Sequence, residues 1–135
     1  MGRILALDYG TKRVGVAVSD ESRKIAFPRA FIPTAEKGKL IKLIKEQGID
    51  QIVVGLPRNL SGQETESAEK ARKFASWLER SSNLQVEFLD ERFSTKEASN
   101  KLREIGVKSK AAKTKIDSMS ACIILQAYLN KNQNV

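Results

Sequence analysis

A set of acidic residues stands out in this chain because each lies where an element begins or ends. Asp8 ends an apolar run, Asp90 and Glu91 end another, and Asp117 opens a late helical pattern. A carboxylate at the end of a buried strand is costly unless a positive group pairs with it. Mg²⁺ and Mn²⁺ prefer such oxygen ligands, and two such ions promote hydrolysis of a phosphodiester. The residue types and positions predict a metal-dependent nuclease.

Each of these acidic residues also has a purely structural interpretation. Asp8 precedes Gly10 in the sequence and could be a turn residue, while Asp117 could be only the N-cap of a helix. Asp90 and Glu91 are adjacent, so in a strand their side chains point to opposite faces. Only one of the two can therefore point towards Asp8, and spacing leaves open which.

The composition excludes several other kinds of catalytic site. None of the 135 residues is histidine, which rules out Ser-His triads, histidine general bases and histidine-ligated zinc. Cys122 is the single cysteine, so an internal disulfide and a multi-cysteine metal site are excluded. The chemistry that remains uses carboxylates, lysines, hydroxyls or a metal held by oxygen.

The charge balance favours a polyanionic partner. With 24 Lys and Arg against 16 Asp and Glu, the formal net charge is +8, which favours nucleic acid before a membrane. An acid-free lysine-rich stretch, about residues 107–115, is expected to be a flexible basic loop that contacts the nucleic-acid backbone. The candidates for nucleic-acid binding are Arg13, Arg58, Asn59, Arg92, Lys108, Lys110, Lys113 and Lys115. The alternative is that these are ordinary solvated residues.

The start of the chain and its hydropathy suggest a cytoplasmic protein. The chain enters its first strand directly after Met1, which leaves no room for a signal peptide. Its apolar runs fall well short of the roughly 20 residues that span a bilayer. We therefore expect no membrane partner.

Hydrophobic periodicity predicts one domain over residues 1–135, with three strands ahead of alternating helices and strands. The run before Asp8 is typical of a strand buried on both faces, and Val14, Val16 and Val18 alternate as its antiparallel partner. The other predicted strands cover about residues 25–32, which the prolines mark as an edge strand, 51–57 and 86–91.

Helices are predicted between and after these strands. Thr34 could cap the first helix, which Gly48 would end, and a longer helix covers about residues 68–78. A capping box at residues 94–97 predicts the start of a short helix. The last helix is predicted to begin near Asp117, and residues 130–135 are expected to be a disordered tail. This order predicts an α/β fold with a mixed five-stranded sheet, a three-strand antiparallel meander plus two parallel strands, and helices on both faces. Ligands of such sheets bind at the carboxyl ends of the strands.

Four motifs, in this order and spacing, give the chain a close resemblance to the YqgF/RuvX family, the pre-16S ribosomal RNA nucleases also described as Holliday junction resolvases. The motifs are LDYGTKRVGVA at residues 7–17, VGLP at 54–57 followed by Asn59 and Gly62, DERFST at 90–95, and DSMSA at 117–121. They span nearly the whole chain. One departure is Ser61-Gly62, where the family often has Asp-Gly.

The resemblance implies a ribonuclease H-like fold and an acidic triad of Asp8, Glu91 and Asp117, as catalytic residues and as ligands of Mg²⁺ or Mn²⁺. It implies 5′ processing of precursor 16S rRNA, with RNA favoured over branched DNA as the partner. We expect a monomer or weak dimer. A Holliday junction resolvase would use the same site but needs two copies of it. One further alternative is a binding protein without turnover. Another is a sugar-kinase or actin-like ATPase, which has a similar Asp-x-Gly-Thr loop but needs a second such domain.

Overall fold

The computed structural model describes residues 2–59, 61–93, 96–104 and 118–133. Its strands are β1 (Arg3–Asp8), β2 (Arg13–Ser19), β3 (Ala26–Pro33), β4 (Ile49–Leu56) and β5 (Val86–Asp90). Its α-helices are α1 (Lys39–Glu46), α2 (Glu66–Ser82), α3 (Lys96–Glu104) and α4 (Met119–Gln133), with 3-10 turns at Thr34–Glu36 and Glu91–Phe93. None of the helices in these described ranges is long and apolar enough to cross a membrane.

The strands form one mixed sheet in the order β3-β2-β1-β4-β5. β1 pairs antiparallel with β2, and β2 pairs antiparallel with β3. β4 lies parallel to both β1 and β5. The predicted meander, the two parallel strands and the position of β3 at the edge are confirmed. The carboxyl ends of β1, β4 and β5 therefore meet at one edge of the sheet.

The two faces of the sheet bury separate cores, because successive side chains of a strand point to opposite sides. Leu5 and Leu7 of β1 pack with α1 and α2, whereas Ile4 and Ala6 pack with α3 and α4. Leu5 and Leu7 are fully buried, and burial of each contributes about 1.5 to 3 kcal/mol relative to exposure. Helices on both faces are confirmed. By the same alternation, Asp8 continues the face that α4 covers.

The predicted start of the first helix was wrong. α1 begins at Lys39, directly after Gly38, and Thr34 lies in a separate 3-10 turn. The Thr34 hydroxyl donates a 2.7 Å hydrogen bond to the carbonyl of Gly10, and its backbone N–H donates a 3.0 Å bond to the carbonyl of Lys12. Thr34 therefore fastens the β1–β2 turn instead of capping a helix, because these tertiary partners replace the local ones.

The prediction of a disordered tail was wrong for residues 130–133. Helix α4 continues through Gln133. The side chain of Asn130 accepts a 3.0 Å hydrogen bond from Nε2 of Gln126, one helical turn earlier. Gln126 is itself fully buried and bonded to β3, so it extends the packed part of the helix. Residues 134 and 135 lie outside the described residues.

Candidate active site at the carboxyl edge of the sheet

Two of the predicted site carboxylates come together at the carboxyl edge of the sheet. Asp8 is the last residue of β1, and Glu91 directly follows β5. β4 lies between these strands, and the two side chains share a hydrogen bond across its end, which protonated Glu91 donates to Asp8. They line a cleft of about 330 Å³ with Ser120 and Ile124 of α4. Asp8 and Glu91 are therefore positioned to act as a unit.

Two glycines make room for this pair. Gly55 of β4 lies beneath Glu91: a Cβ atom there would lie 2.9 Å from Oε1 of Glu91 and 2.6 Å from Cδ1 of Ile124. Gly15 of β2 pairs directly with Asp8, and a Cβ there would lie 3.3 Å from Cβ of Asp8. A side chain at either position would compete for the space that the carboxylates and α4 occupy.

The environment of Glu91 disfavours its charged form. Burial, followed by the charge of Asp8 and the hydrogen bond to it, raises the pKa of Glu91 to about 7. Two close carboxylates resist double ionisation unless a cation compensates them. An oxygen-only donor pair that retains a proton near neutral pH fits a hard divalent cation, which would take the place of that proton.

The third carboxylate of the predicted triad, Asp117, lies outside the described residues. Within residues 2–59, 61–93, 96–104 and 118–133, no group of three or more potential metal ligands comes together. Of the predicted triad, the described residues include Asp8 and Glu91. The four lysines of the basic loop, Lys108, Lys110, Lys113 and Lys115, are outside the described residues as well.

Asp90 has a different role from its neighbour. Its carboxylate accepts hydrogen bonds from Nε and Nη2 of Arg92, at 3.0 and 2.7 Å, and lies 3.7 Å from Nε of Arg58. These contacts, led by the hydrogen bond from Arg92, hold the pKa of Asp90 below its usual value. The structure thus places Glu91 beside Asp8 and uses Asp90 to hold two of the arginines predicted to bind phosphate.

The loop after β4 is shaped by Asn59. Its side-chain oxygen accepts hydrogen bonds from the backbone N–H groups of Ser61 and Gln63, at 3.1 and 3.0 Å, and from the Ser61 hydroxyl at 2.7 Å. Gly62 adopts a φ of +86°, and a Cβ there would lie 3.2 Å from Nη1 of Arg92. The side-chain oxygen of Asn59 therefore organises the loop beside Arg92. Its contact with nucleic acid stays a prediction.

Arg13 lies on the other side of Asp8, at the start of β2. Its guanidinium lies over the ring of Phe31, with Cζ 4.1 Å from the ring centroid. Both line a second cleft, of about 370 Å³, that shares Asp8 and Ser120 with the carboxylate cleft. The sequence analysis overlooked Phe31, Ser120 and the two glycines. The glycines and Ser120 stand inside the quoted motifs and could have been recognised, whereas no local pattern singles out Phe31.

Comparisons with known proteins identify the family of this chain. A family model described as "RuvX: Holliday junction resolvase" matches residues 2–131. Two relatives named "Putative pre-16S rRNA nuclease" are each 44% identical: one from Koribacter versatilis, with 96% of this chain and 88% of the relative covered, and one from Sulfurihydrogenibium sp., with 97% and 92% covered.

A solved structure shows the same fold. It is that of T. thermophilus RuvC in complex with a Holliday junction substrate, which superposes with a TM-score of 0.63 at 9% identity over 98% of this chain and 97% of that chain. At this identity the likeness concerns the fold, and it confirms the expected ribonuclease H-like architecture. With a family model matching almost its full length and close relatives over the same span, this chain belongs to the RuvX family.

Proposed function

We propose that this protein is a metal-dependent endonuclease that hydrolyses phosphodiester bonds in structured RNA and processes the 5′ end of precursor 16S rRNA. The observation that carries the proposal is the pair of Asp8 and Glu91, with Glu91 against Gly55, in an open cleft beside exposed arginines. The names of the relatives support the RNA substrate. We place the activity in the cytoplasm and expect a monomer or weak dimer.

The metal would be held by Asp8, Glu91 and the predicted third ligand, Asp117. Mg²⁺ or Mn²⁺, when bound, supplies positive charge that stabilises the transition state and activates water for attack. Glu91 must lose its proton before both carboxylates can act as ligands, since ligands bind in their deprotonated form. β4 and α4 confine the two side chains, so their geometry is set before the substrate arrives.

The substrate backbone would be held by basic residues on either side of the pair. Arg58 and Arg92 are held at one side by Asp90, and Arg13 lies on the other. Guanidinium groups bind phosphate oxygens with two donors at once, and such contacts position a nucleic acid without reading its sequence. The lysines of the basic loop are proposed to extend this contact.

The test is cleavage of a precursor 16S rRNA 5′-end fragment and a four-way DNA junction, in parallel, with Mg²⁺ or Mn²⁺ and with EDTA. Asp8→Asn and Glu91→Gln should each abolish cleavage while leaving RNA binding intact. Asp50→Asn is the matched control, because Asp50 pairs with Arg23 at the opposite end of β4.

Metal-dependent cleavage of the RNA that the two site variants lose, and the control keeps, would support the proposal. Symmetric cleavage of the junction alone would replace it with the resolvase activity that the family description names. Tight RNA binding without cleavage of either substrate would contradict an autonomous nuclease and favour a binding protein.

A further inference from the structure

The edge strand β3 contains an extra residue opposite the candidate site. Val14 pairs with Ile32 and Val16 with Arg29, so Ala30 and Phe31 together stand opposite Gly15. This is a β-bulge, a device that redirects side chains and is common beside active sites.

The bulge decides which face Phe31 occupies. Ile32 packs against the core under α1 and α2, and Arg29 donates a 2.8 Å hydrogen bond to Gln47 at the end of α1. Arg29 and Ile32 thus lie on the same face although three positions separate them, which regular alternation would not allow. Phe31 instead lines the cleft that contains Asp8 and Ser120.

Helix α4 is tied to the same strand. The backbone N–H and hydroxyl of Ser118 donate hydrogen bonds of 3.0 and 2.9 Å to the carbonyl of Arg29, immediately before the bulge. Ser118 is fully buried, so this contact fixes the first turn of α4 against β3. The second cleft, of about 370 Å³, is therefore lined by β3 and by α4, which these hydrogen bonds hold against each other.

Arg13 and Phe31 form a layered pair in this cleft. Cζ of the Arg13 guanidinium lies over the Phe31 ring, 4.1 Å from the ring centroid, and Arg13 is exposed. Among the described residues, no carboxylate forms an ion pair with Arg13. A second pair, Arg72 over Phe88 at 4.9 Å, differs because Glu64 neutralises Arg72 through a 2.6 Å contact.

We propose that Arg13 and Phe31 form a stacking platform for one unpaired base of the substrate strand, next to the scissile phosphate. Phe31 supports one face of the Arg13 guanidinium, and the base stacks on the opposite face of that guanidinium. The edge N–H groups of Arg13 contact the adjoining phosphate. Arginine planes and aromatic rings bind splayed-out bases in this way. The inference rests on the proposed function and adds that the nucleotide beside the cut is single-stranded, because a paired base is held within its duplex.

The test is binding in EDTA, where cleavage does not interfere. The probes are a single-stranded oligoadenylate of about twelve nucleotides, within the usual size of such sites, and an abasic ribose-phosphate chain of the same length. The wild-type protein should bind the oligoadenylate at least about fivefold more tightly than the abasic chain, the lower end of what one stacked base contributes.

Arg13→Lys keeps the charge and removes the plane, and Phe31→Leu keeps an apolar side chain and removes the ring. Each should lose most of the preference for bases, measured as the ratio of its affinities for the two probes, and Phe31→Leu should keep its affinity for the abasic chain within about twofold. The double variant should lose no more than either single variant, because the two residues act as one platform. Arg72→Lys and Phe88→Leu are the matched controls and should keep the full preference.

Three results would overturn the platform: equal binding of both probes by the wild type, a preference that survives Arg13→Lys, or one that survives Phe31→Leu in folded protein. A thermal melt establishes folding, and the exposed Arg13 provides a variant that does not depend on the core. Failure of the proposed nuclease is distinguishable, because absent cleavage with a base preference that depends on Arg13 contradicts only the activity.

Discussion

Substitution of Gly55 by alanine tests how closely the site is packed. The new Cβ would lie 2.6 Å from Cδ1 of Ile124 and 2.9 Å from Oε1 of Glu91, about 0.8 and 0.5 Å short of the 3.4 Å at which ordinary contact begins. β4 is held between β1 and β5, so its backbone cannot retreat easily. The side chains of Ile124 and Glu91 must move instead.

The expected magnitudes follow from these overlaps. Overpacking of this kind costs about 1 to 3 kcal/mol of unfolding free energy, or a loss of about 3 °C in Tm per kcal/mol for a chain of this length. Displacement of Glu91, one of the proposed catalytic carboxylates, by a sizeable part of an ångström should lower kcat by at least about tenfold. Thermal denaturation and cleavage of the RNA fragment measure the two effects.

Two further variants separate stability from geometry. Ile124→Val in the Gly55→Ala background removes the Cδ1 atom, so it should recover part of the lost stability while the contact with Glu91 keeps kcat low. Gly38→Ala is the control: nothing lies within 4 Å of its Cβ, and its φ of −57° suits alanine. That control should raise stability by about 0.4 to 1 kcal/mol. A Gly55→Ala protein with wild-type Tm and kcat would refute the close packing.

Three more outcomes are expected. Without divalent ions, NMR should find the Glu91 pKa at about 7, and Asp8→Asn should lower that pKa. Because folding raises this pKa, the stability gained from protonated Glu91 is complete below about pH 4.5 and is lost as the pH rises through 7. Glu91→Gln should therefore flatten this decline of unfolding free energy with pH. Burial raises the pKa of Cys122 to about 12, so Ellman's reagent should react with it only at the rate of unfolding, and rapid labelling of native protein would contradict its burial. Gln126→Ala removes the acceptor for the buried N–H of Ala26 and should cost about 1 to 3 kcal/mol in urea denaturation, whereas an unchanged midpoint would mean that this bond contributes nothing.

Much of the fold follows from local patterns in the chain. The unbroken apolar run before Asp8 and the alternation of Val14, Val16 and Val18 determine two central strands. The order of strands and helices then restricts the sheet to a meander with parallel crossovers. These patterns also place Asp8 at the end of a strand. They can be read from the sequence because the periods of a strand, two residues, and of a helix, about 3.6 residues, involve only residues that are near each other in the chain.

The composition of the site needed more than local pattern. Adjacent Asp90 and Glu91 have the same chemistry, and the resemblance to the family, not spacing, selected Glu91 in advance. The structure places it beside Asp8, with the Glu91 side chain against Gly55 near the end of β4. That meeting depends on the register of three strands distant in sequence, which the pattern of any one strand does not contain.

The sequence by itself therefore determined the strands, a mixed sheet of an antiparallel meander plus two parallel strands, and the positions of the carboxylates along the chain. Only the tertiary structure decided that Thr34 bonds the β1–β2 turn, that Asp90 holds two arginines, and that a bulge turns Phe31 towards the site. The physical reason is that these outcomes depend on partners brought together by folding, whose hydrogen bonds and charges outweigh the weaker preferences of each local segment.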